Sequence, residues 1–195
     1  MLLAVPLAAA WDEPPWSCEV EQATIVHQPW SRRWMMRAVE LSTVLEADAS
    51  RAWDAVTSPA LLCHVAAPVL RFPGLAGRTQ PWREGEQVTT WLLLFGVLPV
   101  SFHHLQMRLI DAEQMRIVAH EWGGVVRRWN HSIWIEPLGV GWCRYTDRIE
   151  IDAGRLTVIV AGFAALFYRH RQRRWRRLAR RHLATPGRGA VAAPR

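Results

Sequence analysis

Between residues 121 and 152 polar and apolar positions alternate with a period of two. Trp129, His131, Ile133 and Ile135 share one face, and Arg128, Asn130, Ser132, Trp134 and Glu136 share the other. Strand side chains point alternately to opposite faces, so this is the pattern of a half-buried strand. After Pro137, Leu138 and Gly139 the alternation resumes, with Cys143, Tyr145, Asp147, Ile149 and Ile151 on the mostly uncharged face. Two long antiparallel strands joined by a short turn are predicted. Their uncharged faces coincide only when opposed residues are both odd-numbered, which predicts a connection of three or five residues. His131 is then expected opposite Tyr145 or Asp147, and Trp129 opposite Asp147 or its diagonal neighbour. An imidazole, a phenol and a carboxylate thus gather on a face that should be dry. They either hydrogen-bond one another or face a cavity.

The same reading extends along the chain. Val39, Leu41, Thr43 and Leu45 alternate with Glu40, Ser42, Val44 and Glu46 as a half-buried first strand. Asp48 or Ser50 is placed to cap a helix through Val56, and Pro59 to open a second short helix that ends at Pro68. Strands are predicted at 69–72, 88–95, 100–110 and 114–122, punctuated by Gly96, Pro99, Asp111, Gly123 and Gly124, which makes about seven in all. After Gly154 the period changes to three and four. Leu156, Ile159, Val160, Phe163, Leu166 and Phe167 form an apolar stripe, and beyond Tyr168 only Trp175 and Leu178 continue it through a basic stretch. The economical arrangement is α+β: a curved antiparallel sheet with the long C-terminal helix laid across its concave face. Residues 1–36 show no clear period and read as a loosely packed or disordered extension, with Trp30 and Trp34 able to lie on the body. Residues 37–183 form the domain, and 184–195 a disordered basic tail.

Composition changes this picture in three respects. No apolar run reaches the length of a membrane span. All 24 basic residues are arginine, and ten of them lie from Arg169 onward with no acid among them, leaving 14 against 17 acids in the rest of the chain. The body is therefore mildly acidic and the net charge of +7 belongs to the tail. Cys18, Cys63 and Cys143 are too few and too scattered for a disulfide framework or a zinc site, so a reducing cytoplasm is expected, with peripheral membrane association as an option. The opening MLLAVPLAAAW lacks the basic flank of a secretory signal.

The element order is joined by Arg127-Arg128-Trp129-Asn130-His131, the turn Pro137-Leu138-Gly139, Tyr145-Thr146-Asp147, and Phe167-Tyr168-Arg169-His170-Arg171. Together they resemble the START-like or Bet v 1-like helix-grip superfamily (SRPBCC), most closely its bacterial ligand-binding or polyketide cyclase/dehydratase-like branch, over residues 39–182. The resemblance implies a hydrophobic cavity between helix and sheet that holds a lipid, quinone or polyketide-like molecule. It implies Trp91, Leu105, Met107, Trp129, Phe163 and Phe167 as its apolar walls, although an ordinary filled core uses the same residue types. Glu121 shares a parity class with Ala119 and Ile117 and is placed either at the cavity rim or in solvent.

Candidate chemistry follows from these placements. His131 and Asp147 are either an acid/base pair with Tyr145 as hydrogen-bond donor, or a structural polar cluster that fixes strand register. The expected function is binding of a hydrophobic small molecule. The alternatives are a cofactor-free cyclase/dehydratase and a membrane-surface adaptor in which the basic run between Arg169 and Arg181 meets anionic lipid. His103 and His104 are adjacent, face opposite sides of a strand and make a poor chelating pair, so neither metal nor cofactor is expected. Nucleic acid is not an expected partner, because no recognised module accompanies the arginines. Oligomeric state is not legible in the pattern.

Overall fold

The computed structural model describes residues 24–26 and 36–184. Expectations for the first 23 residues, for Trp30 and Trp34, and for the tail beyond Ala184 concern residues outside these. The chain forms β1 (Thr24–Val26), β2 (Met36–Leu45), α1 (Ala49–Val56), α2 (Pro59–Ala66), β3 (Leu70–Arg71), β4 (Gln87–Leu94), β5 (Leu98–Asp111), β6 (Arg116–Gly123), β7 (Val126–Gly139), β8 (Trp142–Asp152) and α3 (Thr157–Leu178). One antiparallel sheet runs in the order β1-β2-β8-β7-β6-β5-β4-β3. The seven expected strands are present. An eighth, β1, comes from the stretch read as an extension and pairs Ile25 with Val39 on the outer edge of β2.

Parity holds between β7 and β8, but the register differs from expectation by one pair. Ile133 opposes Asp147, Ile135 opposes Tyr145, and His131 opposes Ile149. The connection is also shorter than the three or five residues predicted, since β7 ends at Gly139 and β8 begins at Trp142. An irregularity between Pro137 and Gly139 absorbs the odd residue, so that both uncharged faces still point inward. At the other end of β7, the Gly123-Gly124 turn lies hard against β5. A Cβ on Gly123 would sit 2.4 Å from the Phe102 carbonyl oxygen, which only glycine avoids.

The concave face buries Val39, Leu41, Leu45, Leu105, Met107, Ile117, Ile133, Ile135, Ile149 and Ile151. α1, α2 and α3 close it, with α3 packed chiefly on β2, α2 and β8. Asp48 occupies the N-cap position of α1 without capping it, because its carboxylate accepts from the Gly141 amide at 2.6 Å and so ties the β7–β8 turn to the helix. Ser58 does cap α2, accepting from the Ala60 amide. Arg51 of α1 donates to the Leu183 carbonyl at 2.8 Å, satisfying one of the acceptors that a helix end leaves open.

The buried stripe of α3 shares only Phe167 and Trp175 with the one predicted. Thr157, Ala161, Ala164, Phe167, Tyr168, Arg171, Gln172 and Trp175 face inward. Leu156, Ile159 and Leu166 are exposed, and Phe163 is 38% exposed. Ala161 and Ala164 take inward positions, while most of the larger aliphatic groups of the expected stripe point away. Ile149 is fully buried beside the polar residues of the interior, and Ile149→Ala should cost about 2–5 kcal/mol through the cavity it leaves. Urea unfolding, with the far-ultraviolet circular dichroism of the folded state unchanged, measures it.

Candidate functional site

The interior polar residues are brought together by cross-strand columns. Leu105, Glu121 and Trp129 face one another across β5, β6 and β7, and the next column holds Met107, Ala119, His131 and Ile149. Asp147, one pair further along, meets His131 diagonally. Its Oδ1 accepts from His131 Nε2 at 2.8 Å and from the Tyr145 hydroxyl at 2.8 Å, and its Oδ2 accepts from Gln172 Nε2 at 3.1 Å. The same Gln172 amide donates to the Leu41 carbonyl at 2.8 Å, so one side chain of α3 joins β8 to β2.

Burial pushes the Asp147 carboxyl up, but the Arg171 charge and the hydrogen bonds from His131 and Tyr145 outweigh it and hold the group below the usual carboxylate range. An ionised carboxylate only accepts, so His131 carries its proton on Nε2 and presents Nδ1 to the other side of the ring. There Nδ1 lies 3.9 Å from Glu121 Oε1. Glu121 Oε2 accepts from His103 Nε2 at 2.9 Å. Burial raises the Glu121 carboxyl, and the bond from His103 with the nearby His131 and Arg171 brings it below its ordinary value. Burial and the Asp147 charge push the Tyr145 hydroxyl well up, which keeps it a donor.

Arg171 is buried, with its guanidinium 4.6 Å from the Tyr168 ring centroid. Burial opposes its charge, but Tyr168, Asp147, Tyr145 and Glu121 together raise its pKa, so it stays a cation. Its Nε has no hydrogen-bond partner among the described residues. The Tyr168 hydroxyl, pushed up by burial, accepts from the Trp129 indole at 3.4 Å.

These groups border a cavity of about 40 Å³, partly open to solvent. Glu121, His131 and Arg171 supply its polar wall, and Leu61, Leu105, Met107, Ile117 and Trp82 are among its apolar lining. Of the residues predicted from sequence, Leu105, Met107, Glu121 and His131 therefore reach the cavity. Tyr145 and Asp147 are sealed behind His131 and engaged with each other, which corrects the idea of Tyr145 donating to a ligand. Phe167 is buried and stacks on Phe163, while Trp129 covers Tyr168. Trp91 is corrected outright. The inner face of β4 is carried by Val88, Thr90 and Leu92, so Trp91 lies on the outer face, 51% exposed and edge-on to Phe102.

Sequence reasoning passed over Arg171, Gln172, Tyr168 and His103 as interior groups. For the α3 residues the signal is the spacing Ala161, Ala164, Tyr168, Gln172, Trp175, a helical period that runs through the arginine-rich stretch, and for His103 it is the parity shared with Leu105 and Met107. His103 and His104 do face opposite sides of β5, the first buried and the second stacked on Trp122. Several of the tail arginines expected at a membrane are committed to the body. Arg174 donates to the His64 carbonyl and Arg180 to Glu46.

The family described as "Domain of unknown function (DUF8410)" matches residues 43–181. The chain belongs to this family. Comparison with curated proteins gives no match. Among solved structures, a START superfamily protein from Mycobacterium smegmatis is 13% identical, with a TM-score of 0.57 over 73% of this chain and 97% of that one. A protein from Arthrobacter aurescens is 12% identical, with a TM-score of 0.58 over 80% and 93%. The Zhui aromatase/cyclase from Streptomyces sp. R1128 is 14% identical, with a TM-score of 0.50 over 73% and 96%. At these identities the likeness concerns the fold alone, and this DUF8410 protein has the helix-grip arrangement, an antiparallel curled sheet closed by a long C-terminal helix, in common with these structures. No described helix is long and apolar enough to cross a membrane.

A carboxylate whose folded pKa lies below its unfolded value stabilises the fold above the unfolded pKa and loses that contribution as pH falls through the folded one. For Asp147, with an ordinary value of 3.8, the loss begins as pH falls below about 4. Glu121, with an ordinary value of 4.5, adds to the same acid limb. Asp147→Asn is expected to lower stability at pH 7 and to flatten the dependence below pH 4, as read from urea midpoints across pH 3–7.

Proposed function

We propose that this protein binds a hydrophobic small molecule, of lipid, quinone or polyketide-like kind, between the sheet and α3, with an oxygen of a carbonyl or carboxylate directed at Arg171. The observation that carries this reading is a buried guanidinium at the wall of a cavity, with Nε lacking a partner among the described residues, beside Glu121 and His131 and a lining that is apolar elsewhere. A buried cation aimed into an apolar space supplies orientation for one anionic or polarised group. The void of about 40 Å³ suits that polar end or one or two waters. A larger apolar body would have to extend from the open side of the cavity, where Val56, Leu61, Leu62 and Trp82 supply apolar contact.

Mass spectrometry of an organic extract from protein purified without detergent, against a mock purification, tests the reading. A molecule retained in stoichiometric amount by the parent and lost from Arg171→Gln is expected. Equal retention by the variant removes Arg171 from the site, and no retention together with no binding of fatty-acid or quinone probes counts against a hydrophobic ligand.

The position of His131 supports a second reading, a cyclase or dehydratase acting by proton transfer. Asp147 fixes the ring through Nε2, leaving Nδ1 on the cavity side to take a proton next to a ligand carbonyl while Arg171 stabilises the developing oxyanion. His131→Asn should then reduce turnover by about 10²- to 10⁴-fold while leaving ligand retention in place. Turnover unchanged in that variant rules the histidine out of the reaction.

A further inference from the structure

Among the described residues, and apart from Val140 in the β7–β8 turn, the exposed apolar side chains away from the cavity concentrate toward one end of the sheet. The β4–β5 turn carries Phe95, Val97, Leu98 and Val100, the β6–β7 turn carries Val125, and the start of α3 carries Leu156, Val158, Ile159 and Leu166. The strand register places all three segments at the same edge of the sheet: Leu94 pairs with Leu98, Gly123 with both His103 and Val126, and Arg128 with Asp152, just before α3. The two turns are in contact, since a Cβ on Gly124 would lie 3.1 Å from the Ser101 hydroxyl. Val97 is 81% exposed and Ile159 70%, more than a scattering of surface aliphatics explains.

Charge identifies the occupant. Arg127, Arg128 and Arg155 are exposed on these segments, and the Arg71 side chain lies against Gly96. Residues 93–102, 123–128 and 154–169 contain no Asp or Glu. We propose that this end docks on the surface of an anionic phospholipid bilayer, with the β4–β5 tip and the outer face of the first turns of α3 in the interfacial layer. The hairpin is graded for such a position. Behind its apolar tip, Trp91 and Phe102 pair across the strands with ring centroids 5.3 Å apart and are half exposed. Trp91 stands three residues and Phe102 four from the Leu94–Leu98 pair, about 10 Å at the rise of a strand, which is the depth at which aromatic rings meet headgroups. A twofold contact with a second copy would instead press the same arginine-flanked patch against itself, whereas anionic headgroups neutralise it. The inference is independent of what the cavity holds.

The test is co-sedimentation of the full chain with vesicles of phosphatidylcholine alone or mixed with phosphatidylglycerol. Partitioning onto the mixed vesicles is expected, weakened by added salt, and at least tenfold weaker for Val97→Asp/Leu98→Asp with an unchanged melting temperature. Equal partitioning of that variant, equal binding to both vesicle types, or no binding by the parent overturns the proposal. If the variant melts early, amide hydrogen exchange of the parent decides the matter. Protection gained at residues 94–100 and 155–166 on adding the mixed vesicles supports docking by this end. Protection gained only at 169–181 overturns it. So does protection of the patch before any vesicle is added, which means that another part of the chain or a second copy already covers it.

Discussion

A buried carboxylate must be satisfied on every side, and Asp147 imposes that requirement on the interior. It is fully buried and ionised, and its partners come from β7, β8 and α3. Losing any one of them would leave a charge facing hydrocarbon, a larger penalty than any single apolar contact repays. The constraint fixes the position of α3 along the sheet, because Gln172 reaches both Asp147 and the Leu41 carbonyl only from one turn of the helix.

The same network explains why the interior is not filled. Arg171 and Glu121 carry opposite charges that neither pair directly nor collapse onto the apolar wall, and His131 stands between Asp147 and Glu121 as a rigid divider. Polar groups that hold one another at fixed distances keep space open between them, where aliphatic side chains would have closed it. The result is a dry, sealed half around Asp147 and Tyr145 and a partly open half around Arg171 and Glu121. The ligand binding proposed above would use the second.

Two opposite faces of α3 thus carry different tasks. The inward face is built from small, aromatic and charged residues that anchor the helix, and the large aliphatic residues are left for the outside of its first turns. An apolar count along the helix therefore misleads about which side is the core side, since packing here is set by close approach and by the polar clamp rather than by total hydrophobicity.

The sequence by itself determined the element order, the antiparallel meander, the inward face of β7 and β8, and the gathering of His131, Tyr145 and Asp147 on it. Period-two and period-3.6 alternation are local properties, and turn residues such as Gly123 and Gly124 act within a few positions. Only the tertiary structure decided the one-pair offset between β7 and β8, which depends on an irregularity near Pro137. It also decided the outward placement of Trp91, whose strand carries large apolar groups on both faces, and the rotation of α3. Arg171 and Gln172 entered the site for the same reason. Their recruitment depends on where the helix lies against β8 and against β2, the latter more than a hundred positions away in the chain, and no local period encodes that relation.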